Sequence, residues 1–239
     1  MSYLDHFLFG IYPYLCLAVF LLGSLIRFDR DQYTWKSDSS QLLRAGQLRW
    51  GSNLFHVGVL FLFFGHSFGM LTPHFMYEPF ISAGDKQLVA MLSGGLFGLL
   101  GFIGVTILLH RRLSDPRIRV NSKSSDIVLL VLLWLQLALG LATIPMSAQH
   151  LDGSMMLKLA GWAQHIMTFR AGASELLAEA GWLFKAHMFL GMSIFLIFPF
   201  TRLVHVWSGF GSVAYVFRPY QMVRSRRLGL RASRPQPRH

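Results

Sequence analysis

Long apolar stretches, separated by shorter polar segments, set the pattern of this chain. Five of them reach the roughly 20 residues that an α-helix needs to cross a bilayer. They cover residues 7–26, 52–71, 87–110, 127–146 and 182–207. The fifth stretch has a charge-free centre, 186–201, and tryptophans at both ends, a placement typical of membrane interfaces. The pattern predicts an all-α integral membrane bundle of five transmembrane helices.

Composition and charge support a membrane protein and exclude several other classes. The 239 residues are 53% apolar and only 14% charged, whereas soluble proteins average about 25% charged residues. A net charge of +11 together with this hydrophobicity indicates basic membrane loops rather than a nucleic-acid-binding surface. The single cysteine, Cys16, excludes a disulfide scaffold, an iron–sulfur ferredoxin and a c-type cytochrome.

Basic residues concentrate on one side of the predicted membrane. An outside, periplasmic N-terminus puts 18 of the 22 lysines and arginines on the cytoplasmic side, in agreement with the positive-inside rule. The C-terminus is then cytoplasmic. We therefore predict a transmembrane domain over residues 1–224 and a basic, flexible cytoplasmic tail over residues 225–239, which anionic lipids would attract.

The longest predicted outer connection runs from residue 149 to residue 181. Its segment from Met155 to Phe169 is mostly apolar, with a few polar positions interspersed. Two interpretations remain open for this segment, a helix lying on the membrane surface or a packed loop outside the membrane.

Four of the ten histidines lie within predicted spans, His56 and His66 in the second and His187 and His205 in the fifth. Ionisable residues inside membranes are rare and usually functional. Two histidines on each of two helices suit two b haems, because each iron takes one imidazole on either side of its plane. Matching by depth gives an inner pair, His56 with His205, and an outer pair, His66 with His187. Spacing alone leaves other pairings open, and a buried histidine is also explained as a hydrogen-bonded structural residue.

The two predicted pairs are spaced differently on their helices. Ten residues separate the histidines of the second span and eighteen those of the fifth, which correspond to roughly 15 Å and roughly 27 Å of straight helix. We expect helix tilt, haem tilt and a kink at Pro199 to absorb the difference. Gly58, Gly65 and Gly69 lie near the second-span histidines, where close haem approach and helix packing explain them equally well.

Seven short motifs along the chain together indicate a known family. They are IYPY from Ile11, QYTW from Gln32, SNLFH ending at His56, GHSFGMLTPH from Gly65 to His74, TIPMSAQHLDGS from Thr143 to Ser154, GWAQ from Gly161 and FPFTRLVHVWS from Phe198 to Ser208. With these motifs the chain resembles the gamma subunit of bacterial respiratory nitrate reductase, a membrane dihaem cytochrome b. The similarity extends from the first span to about Arg224.

The resemblance implies a function for the whole chain. It implies two haem b groups held by the inner and outer pairs, with quinol, either menaquinol or ubiquinol, oxidised near the outer haem. Electrons would pass to an iron–sulfur beta subunit and then to a molybdenum alpha subunit that reduces nitrate on the cytoplasmic face. Protons released outside would contribute to the proton gradient. The chain is then expected in the bacterial inner membrane, as the quinol-oxidising subunit of a quinol:nitrate oxidoreductase that carries no nitrate-reducing site itself.

Four further residues are candidates for these sites. Lys86, at the outer start of the third span, suits a hydrogen bond to a quinol oxygen or a haem propionate. The resemblance assigns it to the quinol site, although a lysine reaching for the interface is the alternative. Gly65 leaves room for a quinone beside His66. Arg112 and Arg202, at inner span ends, suit the propionates of the inner haem, and anchoring at the cytoplasmic face explains them equally well.

Two other functions compete with this interpretation. One is a dihaem quinone-linked subunit of a formate, hydrogenase or sulfur-metabolism complex. The other is a haem-free transporter whose histidines relay protons, which the lack of a visible inverted repeat or paired broken helices disfavours.

Overall fold

A computed structural model describes residues 3–31, 43–149 and 151–207. Within these residues, five helices are long and apolar enough to cross a membrane, which confirms the predicted all-α five-span bundle. The spanning helices are α1 (Tyr3–Arg30), α2 (Ala45–Leu71), α3 (Ala83–Ser114), α4 (Ser124–Ser147) and α5 (Trp182–Ile197). The predicted tail, 225–239, lies outside the described residues.

The first four helices extend beyond the predicted apolar stretches into their polar flanks. α3 begins at Ala83 instead of residue 87 because Ser82 caps it, and the Ser82 side-chain oxygen accepts a hydrogen bond of 3.1 Å from the Asp85 amide. α1 includes a π-helical segment, Phe7–Ile11. Hydrophobicity marks the lipid-facing part of each helix, whereas capping residues determine where the helix begins.

The helices pack in an order that leaves α2 and α5 without an extensive shared contact in the described part of the chain. α2 packs on α3, α3 on α4, α4 on α5, and α5 on α1. The contact between α2 and α3 is the tight one, because a Cβ added at Gly58 would lie only 2.4 Å from the Gly101 nitrogen. Gly58 therefore serves helix packing. By contrast, Cβ positions at Gly65 and Gly69 have no described atom within 4 Å.

The predicted outer connection folds back over the bundle. It contains a surface helix, Ser154–Met167, and a 3-10 turn, Ala173–Leu177. The Trp162 indole donates a hydrogen bond of 2.9 Å to the Phe9 carbonyl of α1, and the Gln164 amide donates one of 2.8 Å to the Met70 carbonyl of α2. The segment is therefore helical and is at the same time packed against the ends of α1 and α2.

The fifth span departs from the prediction of one helix over residues 182–207. α5 ends at Ile197, and 3-10 turns Phe198–Phe200 and Arg202–Val204 follow, separated by Thr201 in an extended conformation. Pro199 ends the regular helix because it has no amide hydrogen and its ring clashes with the preceding turn. The straight-helix length estimated for this span consequently does not apply beyond Ile197.

Candidate haem-binding and quinol sites

The structure brings the four membrane histidines together in the two pairs that depth matching predicted. The ring centroids of His56 and His205 are 6.2 Å apart, and those of His66 and His187 are 6.3 Å apart. A metal–nitrogen bond of about 2 Å on each side, plus the radius of each imidazole, gives a centroid separation of about 6.3 Å across one metal ion. Both pairs therefore have the spacing that two imidazoles on opposite sides of one iron require.

In all four histidine rings, the same nitrogen atom, Nδ1, forms a hydrogen bond with the backbone. In each ring Nδ1 lies within hydrogen-bond distance of a backbone carbonyl, and because a carbonyl only accepts, Nδ1 carries the proton. The acceptors are Ser52 for His56 at 2.7 Å, Leu62 for His66 at 2.8 Å, Gln136 for His187 at 3.2 Å and Arg202 for His205 at 2.6 Å. This arrangement leaves the lone pair on Nε2, the tautomer that a metal-binding histidine needs.

The surroundings of the pairs suit a prosthetic group better than a bare metal ion. The two histidines of α2 lie on one uninterrupted helix, so the pairs differ in depth by roughly 15 Å. No group of three or more His, Cys, Asp or Glu side chains that could hold a metal ion occurs in the described residues. Two imidazoles alone leave most of an iron's coordination sphere to another donor, and a porphyrin supplies those four nitrogens.

Arg27, a basic residue at the end of the first span, binds the chain where the fifth span breaks. Its Nη1 donates hydrogen bonds of 2.6 Å to the Pro199 carbonyl and 3.0 Å to the Thr201 carbonyl. These carbonyls lie where α5 has ended, so Arg27 of α1 satisfies backbone oxygens at the break. The break in turn determines the path of the chain to His205. A basic residue at a span end and a proline in another span are the only sequence signals for this contact.

Lys86 lies at the start of α3, against the one-turn helix His74–Tyr77 that follows α2. Its ammonium lies 3.5 Å from the centroid of the Tyr77 ring, within range of a cation–π interaction. Burial, with the nearby Glu78 carboxylate, raises the pKa of the Tyr77 hydroxyl, so the ring stays neutral. The Nζ atom of Lys86 is buried and has no hydrogen-bond partner within the described residues. A buried ammonium with unused donors is a site for an oxygen acceptor.

Arg112 and Arg202 converge on one carboxylate at the predicted cytoplasmic end of the bundle. Their Nη1 atoms lie 3.6 Å and 3.5 Å from Asp126 Oδ2, and all three side chains are less than one-fifth exposed. Arg112 also donates a hydrogen bond of 2.9 Å to Ser122. Two arginines share one aspartate here, so these three side chains together carry a net positive charge. Because the Arg202 carbonyl also accepts from His205, the cluster adjoins the inner pair.

Comparison with known proteins identifies the family. Residues 5–226 match the family model described as nitrate reductase gamma subunit. The chain belongs to this family. Respiratory nitrate reductase 2 gamma chain of Escherichia coli K12 is 54% identical over 228 residues, which are 95% of this chain and 100% of that protein. Nitrate reductase gamma chain of Bacillus subtilis 168 is 36% identical over 220 residues, which are 92% of this chain and 97% of that protein.

Membership in the gamma subunit family establishes several features of the chain. It is a multi-pass protein of the bacterial inner membrane and the membrane subunit of a respiratory nitrate reductase, where it associates with the other subunits of that enzyme. Catalysis of nitrate reduction lies elsewhere in the complex. The family also agrees with the first of the three functions that the sequence left in competition.

Proposed function

We propose that this gamma subunit oxidises quinol near its outer end and delivers the electrons to the other nitrate reductase subunits on the cytoplasmic side. The observation that supports this most is the occurrence of two histidine pairs at different depths, each with a ring separation of 6.2–6.3 Å. Two such pairs form a route across the membrane, because each depth receives one redox centre. The proposed partners are an iron–sulfur beta subunit and a molybdenum alpha subunit.

Each pair holds one haem b in this proposal. His56 and His205 are the axial ligands of the inner haem, and His66 and His187 those of the outer haem. Haem b, when bound, supplies a one-electron carrier whose potential depends on its axial ligands, on burial and on hydrogen bonds to those ligands. The backbone carbonyls on the four Nδ1 atoms fix ring orientation and strengthen Nε2 as a donor.

Lys86 recognises the quinol in this proposal. Its buried ammonium donates a hydrogen bond to a quinol oxygen, and the positive charge stabilises the negative charge that develops there as the hydroxyl proton leaves. Tyr77 keeps the ammonium in place through its ring face. Gly65 leaves open space on α2 beside His66 for the flat quinone ring. The substrate is menaquinol or ubiquinol, and the protons leave on the periplasmic side.

The charged cluster at the other end completes the proposal. Arg112 and Arg202 both lie beside the inner pair, and because guanidinium groups form charge-assisted hydrogen bonds with carboxylates, they suit the propionates of the inner haem. The predicted excess of basic residues on this side places the inner pair nearest the cytoplasm and the partner subunits. Electrons therefore move inward while protons leave outward, which contributes to the proton gradient.

The quinol assignment is tested with two outer lysines. Lys86→Ala removes the ammonium, and we expect quinol to reduce the haems of the purified complex at least tenfold more slowly, with haem content unchanged. The matched control is Lys158→Ala. Lys158 lies on the surface helix and forms an ion pair with Glu179. This pair lowers the pKa of the Glu179 carboxyl. The control should reduce at the wild-type rate. Equal rates for Lys86→Ala and wild type would contradict the quinol role.

A further inference from the structure

A reciprocal packing arrangement joins α4 to α5 beside the outer pair. His187 of α5 packs against Gly140 of α4, where an added Cβ would lie 2.9 Å from the His187 Cε1 atom. In the same way, Gln136 of α4 packs against Gly191 of α5, where an added Cβ would lie 3.0 Å from the Gln136 Nε2 atom. Each helix thus contributes one large polar side chain and, four residues later, a glycine that admits the side chain of its neighbour. Neither side chain can move far without disturbing the other.

Gln136 contacts both nitrogens of the His187 ring. Its backbone carbonyl lies 3.2 Å from Nδ1, and its side-chain Nε2 lies 3.5 Å from the ring's Nε2. The backbone contact sets the tautomer of the ring. The side-chain contact places an amide next to Nε2, the nitrogen that would bind iron in the proposed function. A metal-bound Nε2 accepts no hydrogen bond, so in the haem-bound protein the amide would act on the ring through packing and through its dipole. The structure provides no comparable side-chain amide contact for His66, the other ring of the outer pair, within the described residues.

The Gln136 amide is also destabilising at this position in the membrane span. It lies near the middle of α4, in an apolar span, and its Oε1 atom is buried without a hydrogen-bond partner in the described part of the chain. A buried, unpaired amide oxygen destabilises a protein, and polar groups inside a membrane are usually retained for function. An apolar side chain of the same size would fill the position without this penalty.

We propose that Gln136 is a positioning residue of the outer redox centre, whose amide restrains the plane of the His187 ring and sets the polarity beside its Nε2. This inference rests on the proposed function, because it assumes that His66 and His187 ligate a haem. It predicts that changes to the amide alter the outer centre and leave the inner centre unchanged.

Two substitutions disturb the amide by different routes. Gln136→Leu removes it at nearly constant volume. Gly191→Ala leaves Gln136 intact but inserts a methyl group 3.0 Å from its Nε2, which displaces the amide without adding anything to the His187 ring. The control glycine is Gly95 of α3, where an added Cβ makes only an ordinary 3.5 Å contact with Ile144. All variants are purified as the complete complex.

The test measures the low-spin ferric signals and midpoint potentials of both haems, together with haem content and thermal midpoint. We expect Gln136→Leu and Gly191→Ala each to shift the signal and potential of the outer haem, with the signal and potential of the inner haem unchanged. In Gly95→Ala, the signals and potentials of both haems should equal those of wild type. A variant Gln136→Leu with two haems and an unchanged outer signal and potential would overturn the inference, even if its thermal midpoint falls, because that pattern describes a purely structural amide. A wild-type complex without an outer haem would overturn the proposed function itself.

Discussion

Gly104→Ala tests how closely the contact between α2 and α3 is coupled to the inner pair. In the structure, a Cβ at Gly104 lies 2.3 Å from the Phe55 nitrogen and 2.8 Å from the Gly51 oxygen. Ordinary contacts are about 3.5 Å, so the helices must separate by about 1 Å at this level. Both neighbours are backbone atoms, so no side-chain rotation relieves the clash. His56 follows Phe55 directly, so the displacement reaches a proposed ligand of the inner haem.

Overpacking costs about 1–3 kcal/mol, and a 2.3 Å contact with a backbone atom lies at the upper end of this range, about 2–3 kcal/mol. Alanine regains up to about 1 kcal/mol of helix propensity, which leaves about 1–2 kcal/mol of destabilisation. We expect the thermal midpoint of the purified complex to fall by about 2–8 °C, at about 2–4 °C per kcal/mol. The inner haem should be lost preferentially, with the outer haem retained. Gly94→Ala on the same helix is the control, because no described atom lies within 4 Å of its Cβ position. An unchanged thermal midpoint and full inner-haem content in Gly104→Ala would show that this helix contact is not coupled to the inner pair.

Three further predictions concern the inner pair and its surroundings. Arg27→Met leaves the Pro199 and Thr201 carbonyls without their charged donor. We expect about 1.5–3 kcal/mol of destabilisation in thermal unfolding and a lower inner-haem content. Full inner-haem content would contradict this role of Arg27. Asp126→Asn removes a negative charge beside the inner pair, so redox titration should find a higher midpoint potential for the inner haem only, whereas a lower one would oppose the assignment. The imidazole planes meet at 76° in the inner pair and at 43° in the outer pair. In electron paramagnetic resonance of the ferric protein, the inner haem should therefore give the larger maximal g value. The reverse order of the two g values would contradict this geometry.

The hydrophobic pattern and the placement of the histidines predicted most of the fold and which histidines lie close together. Five apolar stretches define the five spans, because a bilayer imposes a fixed minimum length on any crossing helix. The histidine pairs followed from depth alone, because His56 and His66 lie on one uninterrupted helix whose rise per residue is constant. The paired rings of the structure agree with that argument.

Contacts between distant segments could not be predicted in the same way. Pro199 indicated the break of the fifth span, but the donor to its carbonyl is Arg27, which is 172 residues away from Pro199 in the chain. Gln136 is a single polar residue in an apolar span, and only the packing of α4 against α5 places it beside His187. Asp126 looked like an ordinary charge at a helix start until two arginines from other elements were found against it. Such roles arise from tertiary packing, which a one-dimensional pattern does not contain.

The haem assignment is tested by the haem content and redox titration of the complex with each of the four histidines replaced singly by alanine. We expect two b haems per chain in wild type. His56→Ala and His205→Ala should abolish the same spectral component, and His66→Ala and His187→Ala should abolish the other. A single haem in wild type, or loss of different components within a pair, would show that the histidine pairs do not each hold one haem.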